Sequence, residues 1–288
     1  MCHRVYLQFK NKAMVSHLMT NTIGAFIVDV EGKDLTAEER ELLGHPLVGG
    51  VVLFARNYES RDQLQHLCHQ IRAAHKSPLL IMVDQEGGRV QRFKEEFTRL
   101  PPMATFGKAY DEEPEKACQS AKECGALMAA ELLSVGVDLS LAPILDLDKK
   151  RNTVIGDRAF HANAQTVITL AKAFIRGMQE TGMASVGKHF PGHGGVALDS
   201  HVAIPVDGRS LSELQCDDLM PFAHLIQAGI PALMAAHIVF PEVDELPVGF
   251  SSRWLKDVLR TQLKFTGTIL SDDLNMEGAN ISSHYADR

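Results

Sequence analysis

The alternation of short apolar runs with helical stretches constrains this chain more than any other feature. Seven apolar runs of strand length occur at residues 24–30, 49–54, 79–83, 137–142, 183–188, 232–236 and 267–270. Between them, residues 61–75, 114–135, 164–181, 211–228 and 253–263 carry apolar positions at helical spacing. Thr36, followed three residues later by Glu39, makes a capping box that opens a further helix through Leu43. Strands alternating with helices predict a parallel sheet, and near-continuous apolar strands predict burial on both faces. A TIM-type (β/α)8 barrel of about 250 residues fits the length. No stretch rich in Gly, Ser or Pro divides the chain. One β/α-barrel domain is therefore expected over residues 22–288, preceded by a poorly ordered extension over residues 1–21.

The formal net charge of −7 argues against nucleic acid or an anionic membrane surface as the main partner, because both demand clustered positive charge. Cysteines at positions 2, 68, 118, 124 and 216 show no metal-ligand spacing and cannot all pair. Their usage fits a reducing cytoplasm. No apolar run approaches the roughly 20 residues of a membrane span. The first twenty residues lack the apolar stretch of a secretory signal.

The residues that end the strands carry the chemistry. The third strand runs into Asp84, the fourth ends at Asp146, and the fifth at Lys188 and His189. The sixth ends at His237 and the seventh at Asp272 and Asp273. In a parallel barrel the active site lies at the carboxyl ends of the strands. Five such ends in register predict a single mouth lined by charged and imidazole groups.

Residues 187–201, GKHFPGHGGVALDSH, are the most specific segment, with Lys188, three histidines and Asp199 among four glycines and a proline. Two readings compete. In one, His189, His193 and His201 ligate a metal. That spacing binds zinc when a helix stacks the imidazoles on one face, which Pro191 and Gly192 oppose. In the other, Lys188 and His189 grip substrate hydroxyls while Asp199 and His201 transfer protons. The Asp-x-His spacing lets a carboxylate hold the imidazole and raise its pKa, as a general acid near neutral pH requires.

Three segments together resemble the bacterial β-N-acetylglucosaminidases of glycoside hydrolase family 3. They are KHFPGHG with Asp199 and His201, VDQEGGRVQR at residues 83–92, and SDDLNMEGA at residues 271–279. The resemblance runs from about residue 23 to the C-terminus. It implies Asp272 as nucleophile and His201, paired with Asp199, as acid/base. It implies sugar binding by Asp84, Arg92, Lys188 and His189, and by Arg158 in the segment Gly156-Asp157-Arg158, where the family more often has Glu at the middle position. Side chains alternate along an extended segment, so only one of Asp272 and Asp273 can point into the mouth. A structural salt-bridge network is the competing reading of the charged residues. The resemblance further implies a cytoplasmic enzyme; no cofactor, no metal and a monomer are expected. Its substrate would be a small sugar-bearing molecule, an anhydro-muramyl peptide of peptidoglycan recycling.

The chain departs from the family pattern in lacking an eighth β/α unit after the seventh strand. A truncated or frameshifted product is the favoured account, and a partner chain covering the gap is another. The third is the N-terminal extension, where Val5, Leu7 and Phe9 alternate with polar residues as a strand would.

Overall fold

A computed structural model describes residues 5–9, 24–150, 154–196 and 204–281. Eight strands form one sheet: β1 (Val5–Phe9), β2 (Phe26–Asp29), β3 (Val48–Leu53), β4 (Leu80–Val83), β5 (Leu139–Ser140), β6 (Val186–Phe190), β7 (Ala232–Ala235) and β8 (Thr268–Ser271). Parallel pairing runs β2–β3–β4–β5 and β6–β7–β8. A parallel bridge from Ile144 to Lys188 joins the two groups. The result is the expected TIM-type barrel, with helices wrapped around an apolar core that reaches from Ile27 to Leu270.

The gap between β8 and β2 falls where the sequence lacks an eighth β/α unit. No eighth parallel strand stands there among the described residues. Instead β1 enters antiparallel, pairing Gln8 with Leu270 and Phe9 with Ile269 on one side. On the other side Val5, Tyr6 and Leu7 pair with Val28, Ile27 and Phe26. These five residues differ from the poorly ordered extension expected over residues 1–21. The physical reason is the pair of sheet edges, whose backbone groups would otherwise go unpaired.

Most local signals hold. Thr36 Oγ accepts the Glu39 N–H at 3.1 Å and the Glu39 carboxylate accepts the Thr36 N–H at 2.8 Å, closing the capping box at the start of α1 (Ala37–Leu43). Helices α2 (Arg61–Ala73), α3 (Ala104–Glu112), α4 (Pro114–Ser134) and α5 (Ala164–Glu180) follow, and of these only α3 went unread. The single helix expected over residues 211–228 is two, α6 (Leu211–Gln215) and α7 (Leu219–Gln227). Pro221 is the cause. It has no N–H to donate and its ring clashes with a preceding helical carbonyl, so it is tolerated only in the first turn of a new helix. The segment Arg253–Gln262 winds with π-helical hydrogen bonding.

Packing braces the mouth from behind. Phe190, at the end of β6, meets Phe222 and Trp254 edge-on at 5.6 and 6.0 Å. Burying one such ring contributes about 1.5–3 kcal/mol. The backbone that presents Lys188 and His189 is thereby anchored to a rigid aromatic cluster.

Candidate active site

The strand ends converge as the sequence predicts, and they do so in two groups. The first is a chain of alternating charge across β4, β6 and the turn before α5. Lys188 Nζ donates to Asp84 Oδ1 at 2.7 Å and lies 2.7 Å from Glu86 Oε1. Arg158 grips Glu86 with two parallel bonds, Nε to Oε2 at 2.9 Å and Nη2 to Oε1 at 2.8 Å. Arg92 Nη2 reaches Asp84 Oδ2 at 3.5 Å. The order Arg92–Asp84–Lys188–Glu86–Arg158 sets a cation against every anion. Lys188 and Glu86 are each only 2% exposed.

Burial by itself would push Asp84 and Glu86 up, but the neighbouring cations outweigh it and hold both carboxyls below the usual range. Burial would likewise push Lys188 and Arg158 down, and the carboxylates outweigh it and raise both. All four groups are thus charged at neutral pH.

A small hairpin aims this group. Gly87 and Gly88, with φ of +111° and +56°, turn the chain between Gln85–Gly87 and Val90–Gln91. A Cβ on Gly87 would sit 2.5 Å from the Pro101 carbonyl, so only glycine fits. Gln85 then locks the hairpin, its side-chain oxygen accepting the Arg92 and Phe93 N–H groups at 3.0 and 3.1 Å. Arg92 is carried into place by that lock.

The second group is built on imidazoles. Asp146, fully buried, lies 2.7 Å from His189 Nδ1 through Oδ2. Its Oδ1 accepts the His193 N–H at 2.7 Å and the His189 N–H at 3.2 Å. Burial would raise Asp146, but the His189 and His193 interactions outweigh it and keep the carboxyl low. The rings of His189 and His193 meet edge-on, 6.0 Å apart. His237 is fully buried and stacks on Phe250 at 5.7 Å. Burial pushes the pKa of both His193 and His237 down.

Asp272 stands at the end of β8, its N–H bonded to the Ala235 carbonyl at 3.1 Å. Burial would raise its carboxyl, yet the charges of His189 and His237 and the Asp273 N–H, which donates to Oδ1 at 2.8 Å, hold it low. Asp273 is occupied otherwise: its Oδ1 accepts the backbone and side-chain N–H groups of Asn275 at 2.9 and 3.0 Å. Of the pair, Asp272 is the one held ionised among the site's histidines and Lys188.

Asp84, Arg92, Arg158, Lys188, His189 and Asp272 are therefore brought together, while Asp199 and His201 lie outside the described residues. Among the described residues no group of three or more His, Cys, Asp or Glu side chains could hold a metal ion. Likewise, no described helix is long and apolar enough to cross a membrane. The sequence reading missed Glu86. Charge counting could have found it, since Lys188, Arg92 and Arg158 were expected around Asp84 alone and buried cations require partners. Asp146 and His237 were noted at strand ends but given no role.

Comparison with known proteins agrees with this geometry. The sequence profile of the glycosyl hydrolase family 3 N-terminal domain matches residues 16–288. A beta-hexosaminidase of Methylobacillus flagellatus is 54% identical over 260 residues, covering 90% of this chain and 74% of that protein. One from Nitrosospira multiformis is 51% identical over 267 residues, covering 93% and 76%. The crystal structure of NagZ from Neisseria gonorrhoeae in complex with N-trifluoroacetyl-D-glucosamine has a TM-score of 0.84 and 48% identity, covering 85% of this chain and 73% of that one.

Proposed function

From the premise that the chain belongs to glycosyl hydrolase family 3, we propose that it is a retaining exo-β-N-acetylglucosaminidase acting through a glycosyl-aspartate intermediate on Asp272. It is a glycoside hydrolase of the β-hexosaminidase type. The observation that carries the mechanism is an ionised carboxylate, Asp272, beside a buried belt of fixed charges at the same barrel mouth.

The belt suits a ligand dense in hydroxyls, because Asp84 and Glu86 accept while Arg92, Arg158 and Lys188 donate. With the sugar held there, an Asp272 oxygen attacks the anomeric carbon as the bond to the leaving oxygen breaks. His201, paired with Asp199, supplies the proton that the leaving oxygen takes. The same imidazole then removes a proton from water, which attacks the anomeric carbon and releases Asp272. The substrate we assign is an anhydro-muramyl peptide carrying a terminal β-N-acetylglucosamine, and the setting is cytoplasmic peptidoglycan recycling.

The test is hydrolysis of a chromogenic β-N-acetylglucosaminide by the purified chain, beside Asp272→Asn and beside a chelator-treated sample. Release of chromophore that survives chelation and falls at least about 10³-fold in the variant is the expected outcome. Equal rates in variant and wild type would remove Asp272 from the mechanism. Mass spectrometry of anhydro-muramyl peptides treated with the enzyme tests the substrate separately, since loss of one N-acetylhexosamine is the required product.

A further inference from the structure

Asp146 is a buried carboxylate that never reaches the open mouth, and its two oxygens have different jobs. Oδ1 accepts the His193 main-chain N–H at 2.7 Å, and the His189 N–H is shared between Oδ1 at 3.2 Å and Oδ2 at 3.3 Å. Oδ2 faces the ring of His189, 2.7 Å from Nδ1. A carboxylate has no hydrogen to offer, so the hydrogen in that last bond sits on Nδ1 of His189. Nε2 is then the one ring nitrogen of His189 left to face a ligand. A neutral ring in this state presents a lone pair at Nε2 and accepts from a hydroxyl. The opposite tautomer presents an N–H there and cannot accept.

We propose that Asp146 is a positioning residue for the reaction, which fixes His189 in the Nδ1–H tautomer and so sets the hydrogen-bonding sense of its Nε2 towards the sugar and Asp272. The proposal rests on the glycosidase reading of the site. The same carboxylate ties the strand end at His189 to the start of the glycine-rich segment at His193, so ring and segment share one support.

The geometry dictates what asparagine would do. The His193 N–H, 2.7 Å from Oδ1, demands an oxygen at that position, so the amide nitrogen of Asp146→Asn is directed to face the His189 ring. That nitrogen donates, Nδ1 must accept, and the ring hydrogen moves to Nε2. The backbone anchor survives while the tautomer inverts, which separates positioning from mere support.

Protein labelled with 15N-histidine, with His189 assigned by its loss in His189→Gln, reads the tautomer directly at a pH where the ring is neutral. Wild type is expected to show Nδ1–H and Asp146→Asn to show Nε2–H, with thermal midpoints within a few degrees. Hydrolysis of the chromogenic glycoside supplies a second arm. Asp146→Asn is expected to lower kcat/KM roughly 10- to 100-fold, and to lower it little further in a His189→Gln background, because residues acting as one unit are not additive. Nε2–H in the wild type, an unchanged tautomer in Asp146→Asn, or losses that multiply in the double variant would each overturn the proposal. The spectroscopic arm needs no turnover. A chain without glycosidase activity would therefore sink the functional reading while leaving the tautomer assignment to its own result.

Discussion

Across β4 and β6, every buried charge of the mouth has an opposite charge against it, whereas at the ends of β7 and β8 the polar groups are imidazoles around Asp272. Glu86 takes two bonds from Arg158 and one contact from Lys188, and Lys188 also serves Asp84. His237 instead rests on Phe250. Burial acts on both regions: in the belt the countercharges overcome it for cations and anions alike, whereas beside Asp272 it prevails at His237. The lesson concerns division of labour. A belt of fixed charges can hold a polyol in one orientation at any physiological pH. Imidazoles whose burial disfavours the charged form, as at His193 and His237, are a different kind of neighbour for the reacting carbon.

The sharpest way to break the comparison is to strand a charge in the belt. Lys188→Met leaves Asp84 and Glu86 facing each other, and the expected cost is about 3–5 kcal/mol of stability in urea unfolding, with sugar binding lost. Adding Glu86→Gln to that variant should recover part of the loss, since the two sites share one network. Recovery by an equal amount from a distant surface substitution would show that the belt is not the source.

Deleting residues 1–13 removes β1 and exposes the edges of β2 and β8. Because Asp272 ends β8 while the belt is carried mainly by β4 and β6, kcat should fall more than sugar affinity. A variant with unchanged kinetics and melting behaviour would show that β1 is dispensable.

On the histidine side, Gly194 lies so close to the segment after Asp146 that an added Cβ would be 1.8 Å from the Leu147 carbonyl. Gly194→Ala should therefore cost roughly 1–3 kcal/mol, as overpacking typically does. Its effect on kcat should exceed that of an alanine at Gly182, around which the space is open although its φ of +94° carries a modest strain of its own.

The smallest effect is in pH dependence. Asp84 and Glu86 are held below the usual carboxylate range, so the stability they add is complete above about pH 5 and fades only in stronger acid. His193 and His237 are held below the free imidazole value, so the unfolded chain binds more protons and stability falls as pH drops below about 6.5. Chemical denaturation of His237→Leu between about pH 7.5 and 5.5 should show a flatter slope than wild type. An identical slope would mean that His237 takes up its proton in the folded state.

Much of this was written locally in the chain. Strand and helix periods, the Thr36 capping box and the polar residue at each strand end are short-range features, set by alternation, helical spacing and caps. They were enough to specify a barrel with Asp84, Lys188, His189 and Asp272 at one mouth. What only the tertiary structure decided is which groups meet. Lys188 and Asp84 are 104 residues apart, Arg158 and Glu86 are 72, and no local pattern records either pairing. Asp146 became the support of His189, Glu86 joined the belt, and β1 entered the gap between β8 and β2. The reason is physical: buried charges and open strand edges are costly alone, and their partners are supplied by whichever segments the folded barrel brings within reach.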